Sequence, residues 1–454
     1  MADPSTCLPL TPPAIRQTHD RIKEHIHRTP VLTSRTLDKV ASSPDPRLYL
    51  SDDPPGIWAD SPESSTNGTT TGSGDVPKFN LYFKMESVQK IGAFKARGAF
   101  SAITHLINEL GLDKLRERGV ITHSSGNHAQ ALALAASTYQ IPAWIVMPKI
   151  STKSKISGTK GFKGVEVVFS GSTAPEREEV VREIVERRRK ETGAEGPILV
   201  PPYDHPDIVL GQGTAGMEME EQWRAMKMGR RACSAAVEVN GVVDEAGNER
   251  FDAVLTPLGG GGLLSGTATW FSHTGDGNGK KTLVFGAEPS FQGANDGERG
   301  LAAKPPKRIE HVKSLTIADG VRTPVGAIPW SIISDKSKLE GVYSVSELEI
   351  KMALKLMLER VKVVIEPSSA VPIAVVLFNQ KFRDFVAAKQ KEEGDGRTWD
   401  VGIVVSGGNT TVEALSKLFT EGWMDEKQDD TFEAERDTGQ VATDGSKNVQ
   451  DVAG

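Results

Sequence analysis

Residues 253–270 read AVLTPLGGGGLLSGTATW: an apolar run, four consecutive glycines, and then a segment compatible with a helix. Glycine has no Cβ, so the backbone N–H groups of Gly259 to Gly262 can converge on one point, where the N-terminus of a following helix also favours negative charge. A nucleoside triphosphate is not indicated, because no Lys-Ser/Thr pair follows, and the loop lacks the G-x-G-x-x-G spacing of dinucleotide sites. The stretch predicts a strand, a phosphate-binding loop and a helix, although a glycine run alone is equally compatible with a flexible loop.

The same alternation of strand and helix runs through much of the chain. Short β-rich runs are each followed by helix-compatible sequence: GVITH (119–123), PAWIVMP (142–148), VEVVFS (165–170), ILVPP (198–202), FDAVLTPL (251–258), TLVFGAEP (282–289) and VGIVVSGG (401–408). Such alternation is typical of parallel sheets that are covered by helices. We therefore predict an α/β fold with doubly wound parallel sheets.

Bulk composition narrows the class of protein. With 454 residues, 38% of them apolar, the chain is long enough for two or three structural units. A net charge of −6 argues against a surface that binds nucleic acid or anionic lipid. Cys7 and Cys233 are the only cysteines, too few for a disulfide framework and without the sequence neighbours of a zinc site. The start of the chain does not resemble a secretory leader, and no apolar run is long enough to span a bilayer, so we predict a cytoplasmic protein that acts on a small molecule.

Three stretches interrupt the alternation. Residues 51–78 are rich in Ser, Thr, Gly, Asp and Pro, a composition that buries too little apolar surface to offset the entropy of ordering, and we predict a disordered insertion there. Residues 226–249 form a second irregular stretch. Residues 423–454 are polar and poor in aromatic side chains, which predicts a disordered tail.

Polar motifs follow several of the predicted strands. Ser124-Ser125-Gly126-Asn127-His128 and Ser406-Gly407-Gly408-Asn409 stand at strand ends, as the glycine run does, and ligands of open α/β sheets bind at this edge. Lys95, in SVQKIGAFKARGAF, lies among small residues and Phe94, where burial would lower the pKa of its amine. Taken singly, these are also compatible with an ordinary helix cap and a solvated lysine. Together they predict one shared site.

In combination the motifs resemble the fold-type II pyridoxal-phosphate enzymes, and among them the threonine/serine dehydratase and serine racemase family. The matching stretches keep the family's order along the chain and are residues 87–99, 122–136, 211–214, 255–266, 316–326, 363–371 and 403–410. The resemblance implies a tryptophan synthase β-like architecture with the cofactor in the cleft between two domains. The large, cofactor-binding domain would comprise residues 1–50, 79–118 and 205–422, and the small domain residues 119–204.

The resemblance also implies roles for individual residues. Lys95 would form a Schiff base with pyridoxal 5′-phosphate, and a Ser406 hydroxyl facing the ring nitrogen would favour elimination or racemisation over transamination. The other implied cofactor contacts are Phe94 at the ring, Asn127 at the ring 3′-oxygen, and Gly259, Gly260, Gly261 and Gly262 at the phosphate. The implied substrate contacts are Ser124, Ser125, His128 and Arg177, of which Ser125 would also exchange a proton on the face opposite Lys95.

A divalent cation is a further implication of the resemblance. The segment AEPSFQGAND (287–296) resembles the place where serine racemases bind Mg²⁺ or Ca²⁺, with Glu288, the Ala294 carbonyl and Asp296 as oxygen ligands. The spacing is about two residues longer than the family's usual pattern, and two ordinary surface acids are the alternative interpretation.

The function implied is that of a dehydratase (ammonia-lyase), a racemase, or both, acting on serine, threonine or a related hydroxy-amino acid as a homodimer. Lys95 would take the α-proton, and loss of the β-hydroxyl or reprotonation would follow. Two alternatives remain: a β-replacement enzyme of the cysteine/cystathionine synthase type, and a non-catalytic cofactor-binding protein of the same fold.

Overall fold

The computed structural model describes residues 3–51, 75–124, 126–171, 173–193, 195–235, 250–272, 281–394 and 397–420. Within these residues the strands form two sheets, one of six strands and one of four. Helices accompany both sheets, which confirms the predicted α/β class. Among the described helices, none combines the length and the apolar composition that crossing a membrane requires.

The larger sheet has the strand order β1-β2-β10-β7-β8-β9. Its strands are β1 (Val31–Thr33), β2 (Phe79–Met85), β7 (Ala253–Pro257), β8 (Leu283–Pro289), β9 (Gly341–Val345) and β10 (Trp399–Val405). The pairings are parallel except at one edge, where the three-residue strand β1 runs antiparallel to β2. The predicted parallel sheet is confirmed, and β1, which is too short to give a periodic signal in the sequence, adds an antiparallel edge to it.

The smaller sheet has the order β5-β4-β3-β6, and all its pairings are parallel. Its strands are β3 (Val120–His123), β4 (Ala143–Pro148), β5 (Val165–Ser170) and β6 (Ile198–Leu199). The six-stranded sheet takes its strands from both sides of this continuous segment. That arrangement supports the predicted large and small domains, whose boundaries stay a prediction.

Helices connect the strands. In chain order they are α1 (Pro12–Ile22), α2 (Arg35–Ala41), α3 (Lys95–Leu110), α4 (Leu112–Arg118), α5 (Asn127–Thr138), α6 (Lys153–Lys160), α7 (Ala174–Thr192), α8 (Pro206–Ala235), α9 (Gly262–Phe271), α10 (Asp296–Ala302), α11 (Ala327–Ile333), α12 (Glu347–Leu356), α13 (Pro367–Phe378), α14 (Gln380–Glu393) and α15 (Val412–Thr420). All twelve residues of α13 are buried, since it packs against strands of the larger sheet on one side and α12 and α14 on others. Burial of a whole helix explains why its sequence shows no polar face.

A buried network of charged side chains joins α3 and α8 to β2. The Arg97 guanidinium donates to Glu86 at 2.7 and 2.8 Å and to Glu218 at 2.8 and 3.0 Å. Lys84 Nζ also donates to Glu218, at 2.7 Å, and these four side chains are no more than 1% exposed. Burial alone would raise the pKa of Glu218, but the charge of Arg97, a hydrogen bond from His19 and the charge of Lys84 outweigh it and lower that pKa. Arg97 lies two residues after Lys95, so the network holds the first turn of α3 in place.

The predicted irregular stretches fall mostly outside the described residues. Of the predicted insertion at 51–78, residues 52–74 lie outside, whereas Lys78 is held by Gln390, which accepts from its backbone N–H at 2.9 Å. The stretch 226–249 begins as helix, since α8 continues to Ala235, and residues 236–249 lie outside. The helix formers Ala, Met, Lys and Arg of residues 224–235 account for the continuation. The predicted tail at 423–454 lies outside the described residues.

Candidate active site

A cavity of about 400 Å³ opens where strand ends of both sheets come together. Residues that follow β3, β7 and β10 line it, as do the first residue of α3 and the start of α5. Its predicted site residues are Phe94, Lys95, Ser124, Asn127, His128, Arg177, the four glycines 259–262 and Ser406. Ser125 lies outside the described residues. The volume is within the range of sites that enclose a small cofactor.

Lys95 is the first residue of α3, and its amine projects into the cavity. Nζ donates to the carbonyl of Pro202 at 2.8 Å and lies 5.1 Å from the centroid of the Phe94 ring. Desolvation in this half-buried position lowers the pKa of the amine to about 8, and the nearby Glu366 carboxylate offsets only part of that shift. A substantial fraction of the amine is therefore neutral near pH 8, as a nucleophile or a base must be.

The glycine run forms a tight loop between β7 and α9. Gly261 adopts φ +91°, and a Cβ on Gly260 would lie 2.2 Å from Cγ of Tyr203, so both positions require glycine. No described residue accepts a hydrogen bond from the backbone N–H of Gly259, Gly260 or Gly261. Free amides beside the N-terminus of α9 suit a phosphate group.

Ser406 lies directly after β10. It is far from the glycine loop in sequence, but both line the same cavity. Its hydroxyl is 3.0 Å from that of Ser369, which also accepts from the N–H of Gly407 at 2.8 Å. The carbonyl of Ser406 accepts from the N–H of Phe94 at 3.0 Å, which couples the strand end to the start of α3. Ser406 is 2% exposed, so a ring that reached it would be shielded from water.

Asn127 begins α5 and holds a buried carboxyl group. Its Nδ2 is 3.2 Å from both carboxylate oxygens of Glu366, and its Oδ1 accepts from Asn409 Nδ2 at 2.8 Å. Burial, together with the charge of Asp319, raises the pKa of Glu366 to about 7, although the Asn127 bond acts in the opposite direction. Glu366 can therefore hold or release a proton near neutral pH at the wall of the cavity.

The His128 ring is neutral and lines the cavity. Its Nε2 donates to the carbonyl of Val200 at 3.2 Å, which leaves Nδ1 as an acceptor without a partner among the described residues. Burial and the positive charge of Lys95 lower the pKa of His128 to about 3, so the ring is neutral at pH 7. A carboxylate needs donors and the ring has none left to offer, so the predicted contact of His128 with a substrate carboxylate would be made by its backbone N–H.

Other polar groups at the cavity suit that contact better. Ser124 and the N-terminus of α5 border it, and Arg177 reaches it from the first turn of α7. Arg177 is half-buried, and burial lowers the pKa of its guanidinium. Lys155 of α6, which also lines the cavity, forms an ion pair with Asp319.

The predicted metal ligands lie apart from the cavity, at the end of β8. The Glu288 carboxylate accepts from the N–H groups of Gly297 and Glu298 at 2.9 and 3.0 Å, and Asp296 Oδ2 accepts from the N–H of Val325 at 3.0 Å. Burial, with the charge of Asp296, raises the pKa of Glu288, and burial raises that of Asp296 to about 6. Among the described residues neither acid forms an ion pair with a cation, and two buried acids of this kind suit a hard divalent ion.

The chain between Glu288 and Asp296 forms a short turn before α10 begins. Phe291–Gly293 forms a single 3₁₀ turn between β8 and α10, and Ala294 next to it is 1% exposed. Glu288 and Asp296 lie close enough for the charge of one to raise the pKa of the other, and the Ala294 carbonyl as a third ligand stays a prediction.

Sequence reasoning missed Glu366, Asp319, Lys155 and Tyr203. The sequence around Glu366 could have indicated its role, because an acid within the apolar run VVIEPSSAV is expected to be buried or to begin a helix. In the structure Glu366 is buried and also precedes the first residue of α13. Tyr203 and Lys155 stand in polar loops or helix faces without a distinguishing pattern.

The residues present fit the predicted cofactor. The glycine amides offer a phosphate site, Lys95 an amine with lowered pKa, and Ser406 a hydroxyl with no charge. These three groups surround one cavity, and its wall also contains Nδ1 of His128, which has no partner among the residues that the structure describes.

Comparison with known proteins agrees with this fit. A family model described as "Pyridoxal-phosphate dependent enzyme" matches residues 72–392. The chain is 34% identical to a serine racemase of Dictyostelium discoideum, over 89% of this chain and 96% of that protein. It is 32% identical to an L-threo-3-hydroxyaspartate ammonia-lyase of Saccharomyces cerevisiae, over 88% and 94%. The crystal structure of serine racemase from Dictyostelium discoideum superimposes with a TM-score of 0.63 at 32% identity, over 88% of this chain and 99% of that one. The chain therefore belongs to the pyridoxal-phosphate-dependent enzymes of fold type II, and its cofactor is pyridoxal phosphate.

Proposed function

We propose that this enzyme is an ammonia-lyase (dehydratase), a racemase, or both, acting on serine, threonine or a related hydroxy-amino acid such as 3-hydroxyaspartate. The observation that carries the proposal is the convergence of the Lys95 amine, the glycine loop and the uncharged Ser406 hydroxyl on one cavity. The serine racemase and hydroxyaspartate ammonia-lyase relatives support the same class of substrate. When bound, pyridoxal phosphate withdraws electrons from the substrate α-carbon and makes its proton removable.

Lys95 and Ser406 set the direction of the chemistry. The Lys95 amine, with a pKa near 8, is the group that takes the α-proton at physiological pH. Ser406 offers the ring nitrogen a hydroxyl rather than a carboxylate, which limits electron withdrawal and favours elimination or racemisation over transamination. Phe94 would pack beside the cofactor ring, and the Asn127 amide, held by Glu366 and Asn409, would hold the ring oxygen.

The rest of the cavity orients the substrate. Ser124 and the free N–H groups at the start of α5 bind the α-carboxylate, since a helix N-terminus favours negative charge. Arg177, which lines the same cavity, would contact the polar side chain of the substrate. The His128 ring, neutral and bonded to Val200, positions the start of α5, and His128 would contact the carboxylate through its backbone N–H.

The substrate class is tested with a panel of L- and D-hydroxy-amino acids, assayed separately for 2-oxo acid and for the opposite enantiomer. We expect at least one of serine, threonine and 3-hydroxyaspartate to yield oxo acid, enantiomer or both. O-acetylserine with sulfide is the matched test of β-replacement, and cysteine as the main product would contradict the proposal. Absence of turnover on every substrate would favour the non-catalytic alternative.

Ser125 is predicted to act on the face of the substrate opposite Lys95. Changing Ser125 to alanine should suppress racemisation at least about tenfold more than elimination from the L-substrate, because only racemisation needs an acid on that second face. Ser124→Ala is the control, since loss of a carboxylate contact should lower both rates by a similar factor. If the Ser125 variant lost racemisation and elimination to the same extent, Ser125 would be a carboxylate ligand and not a proton donor. Both products are measured in the same reaction.

We also propose that Glu288, Asp296 and the Ala294 carbonyl bind Mg²⁺ or Ca²⁺. Binding should raise activity and melting temperature when millimolar magnesium is added, because an ion that binds only the folded chain stabilises it by mass action. A chelator should reverse both effects, and Glu288→Gln should abolish them. The exposed Glu340→Gln is the control and should keep both. Equal activity and stability with chelator or with magnesium would show that the site does not function.

We further propose that the enzyme is a cytoplasmic homodimer. The net charge of −6 and the presence of only two cysteines support a reducing, aqueous compartment. The resemblance to the dehydratase and racemase family supports the dimer.

A further inference from the structure

A second group of potential metal ligands lies outside the active-site cavity. The Cys7 cluster consists of Cys7, His205 and Asp207, together with His105, which contacts two of them. Cys7 belongs to the N-terminal segment, His105 to α3, and His205 and Asp207 flank the first residue of α8. One ligand atom from each of Cys7, His205 and Asp207 lies within 4.8 Å of the other two.

The contacts within the cluster are short and mostly buried. His105 Nδ1 is 2.7 and 2.8 Å from the two carboxylate oxygens of Asp207, and His205 Nδ1 is 3.5 Å from Asp207 Oδ2. Cys7 Sγ is 3.6 Å from His105 Nδ1 and 3.7 Å from the carbonyl of Asp3. His205 is 1% exposed and Asp207 4%, whereas Cys7 is partly open to solvent, which leaves an entry path.

The geometry is not that of a catalytic triad. In a Cys-His-Asp triad the thiol and the carboxylate contact different ring nitrogens, so that a proton can pass through the imidazole. Here Cys7 and Asp207 both contact Nδ1 of His105. The histidine therefore cannot relay a proton between them, and the cluster is not suited to nucleophilic catalysis.

We propose that Cys7 Sγ, a His205 ring nitrogen and an Asp207 carboxylate oxygen bind Zn²⁺ or a cation of the same class. A thiolate and an imidazole select a borderline soft ion over Mg²⁺, and water completes the tetrahedron. Tetrahedral Zn²⁺ places its ligand atoms about 3.3–3.8 Å apart, so the cluster needs shifts of only about 1 Å to close on an ion. His105 donates to Asp207 and orients it, as a partner of a metal ligand does.

The ion would tie distant parts of the chain together. Cys7 and His205 are 198 positions apart in the sequence, and the metal would fasten the N-terminal segment to the start of α8, whose partner α3 carries Lys95. Closing such a long loop stabilises the folded state. Cys7 has no His or other Cys close to it in sequence, and the fold brings His205 and Asp207 to it.

Thiol reactivity of the full-length holoenzyme tests the proposal. The Cys233→Ser background leaves Cys7 as the only cysteine, so the rate of its reaction with a disulfide reagent reports on Cys7 alone. After removal of metals by a chelator, added Zn²⁺ should slow the reaction at least tenfold. Asp207→Asn and His205→Gln, in the same background, should each abolish the protection.

Two controls separate this site from others. Glu109→Gln alters an acid 3.9 Å from His105 Nε2 that is not a proposed ligand, and Glu288→Gln alters the proposed magnesium site. Both should keep the protection of Cys7. An unchanged reaction rate with Zn²⁺ in the parent, or full protection in both ligand variants, would overturn the proposal.

Calorimetry gives a second measurement that does not depend on the buried variants. Cys7→Ser changes a partly exposed side chain outside the helices and strands, so the fold and the cofactor absorbance should persist. We expect the parent to bind one more Zn²⁺ per chain than Cys7→Ser and to gain melting temperature from it. Equal stoichiometry and equal melting shifts in the two proteins would refute the site.

Discussion

Replacing Lys95 with alanine is expected to lower turnover of the preferred hydroxy-amino acid by about 10³-fold or more, because the variant loses both the amine that holds the cofactor covalently and the base that takes the α-proton. The near-visible absorbance of the lysine-bound cofactor should disappear with it. Steady-state kinetics and an absorbance spectrum of the purified variant provide the measurement. The pocket itself should persist, since the Phe94 N–H, the glycine loop and Ser406 do not depend on the Lys95 amine.

Lys114→Ala is the matched control, because Lys114 is an exposed lysine of α4. It should keep the spectrum and the activity of the parent. Reduction of the parent with borohydride, followed by peptide mapping, should place the cofactor on Lys95. A label on another lysine, or a Lys95→Ala variant with undiminished turnover, would remove Lys95 from its role.

Changing Glu218 to glutamine should lower the free energy of unfolding by about 3–5 kcal/mol, the usual cost of removing one partner from a buried ion pair. Arg97 and Lys84 would then share Glu86 as their remaining carboxylate within the network, in a place with no access to water. In the parent, burial and the Arg97 charge lower the pKa of the Lys84 amine to about 8 although Glu218 raises it, so loss of Glu218 also removes a group that keeps Lys84 protonated. Urea denaturation of the cofactor-loaded protein measures the change.

Glu221→Gln is the control for this prediction. Glu221 lies three residues further along α8 and pairs with Arg16 and Arg28 at 3.0 and 3.3 Å, but its side chain is 36% exposed. Solvent screens such pairs, so its loss should cost less than about 1 kcal/mol. If the two variants were equally destabilised, the buried network would have no special role in stability.

The strand ends were the most predictable part of this structure. The glycine loop, the SSGNH motif and Ser406 each follow an apolar run that is visible in the sequence, and parallel strands bring their carboxyl ends to one edge. Lys95 was harder, since nothing local distinguishes it from a solvated lysine. Its surroundings, the Pro202 carbonyl and the Phe94 ring, come together only through the fold.

Features that depend on long-range pairing escaped sequence reasoning. The antiparallel strand β1 is only three residues long. The pKa of Glu366 depends on Asn127 and Asp319, which are distant in sequence. The Cys7 cluster likewise joins positions about a hundred and two hundred residues apart. The neutral state of His128 likewise results from burial and from the Lys95 charge, neither of which its motif reveals. Periodicity reports which face of an element is buried, but not what lies against that face.

The position of β10 in the larger sheet has a consequence for how the chain folds as it is made. This last strand lies between β2 and β7, so the six-stranded sheet cannot close until residue 405 has left the ribosome, whereas the smaller sheet is complete by residue 199. At synthesis rates of about 5–20 residues per second, roughly 10–40 s separate the two events. During that interval the inner edges of β2 and β7 have no partner strand and are open to aggregation. Slower, cooler expression and the presence of chaperones should therefore raise the yield of folded enzyme, and a chain that stops before Trp399 should neither close the sheet nor provide Ser406.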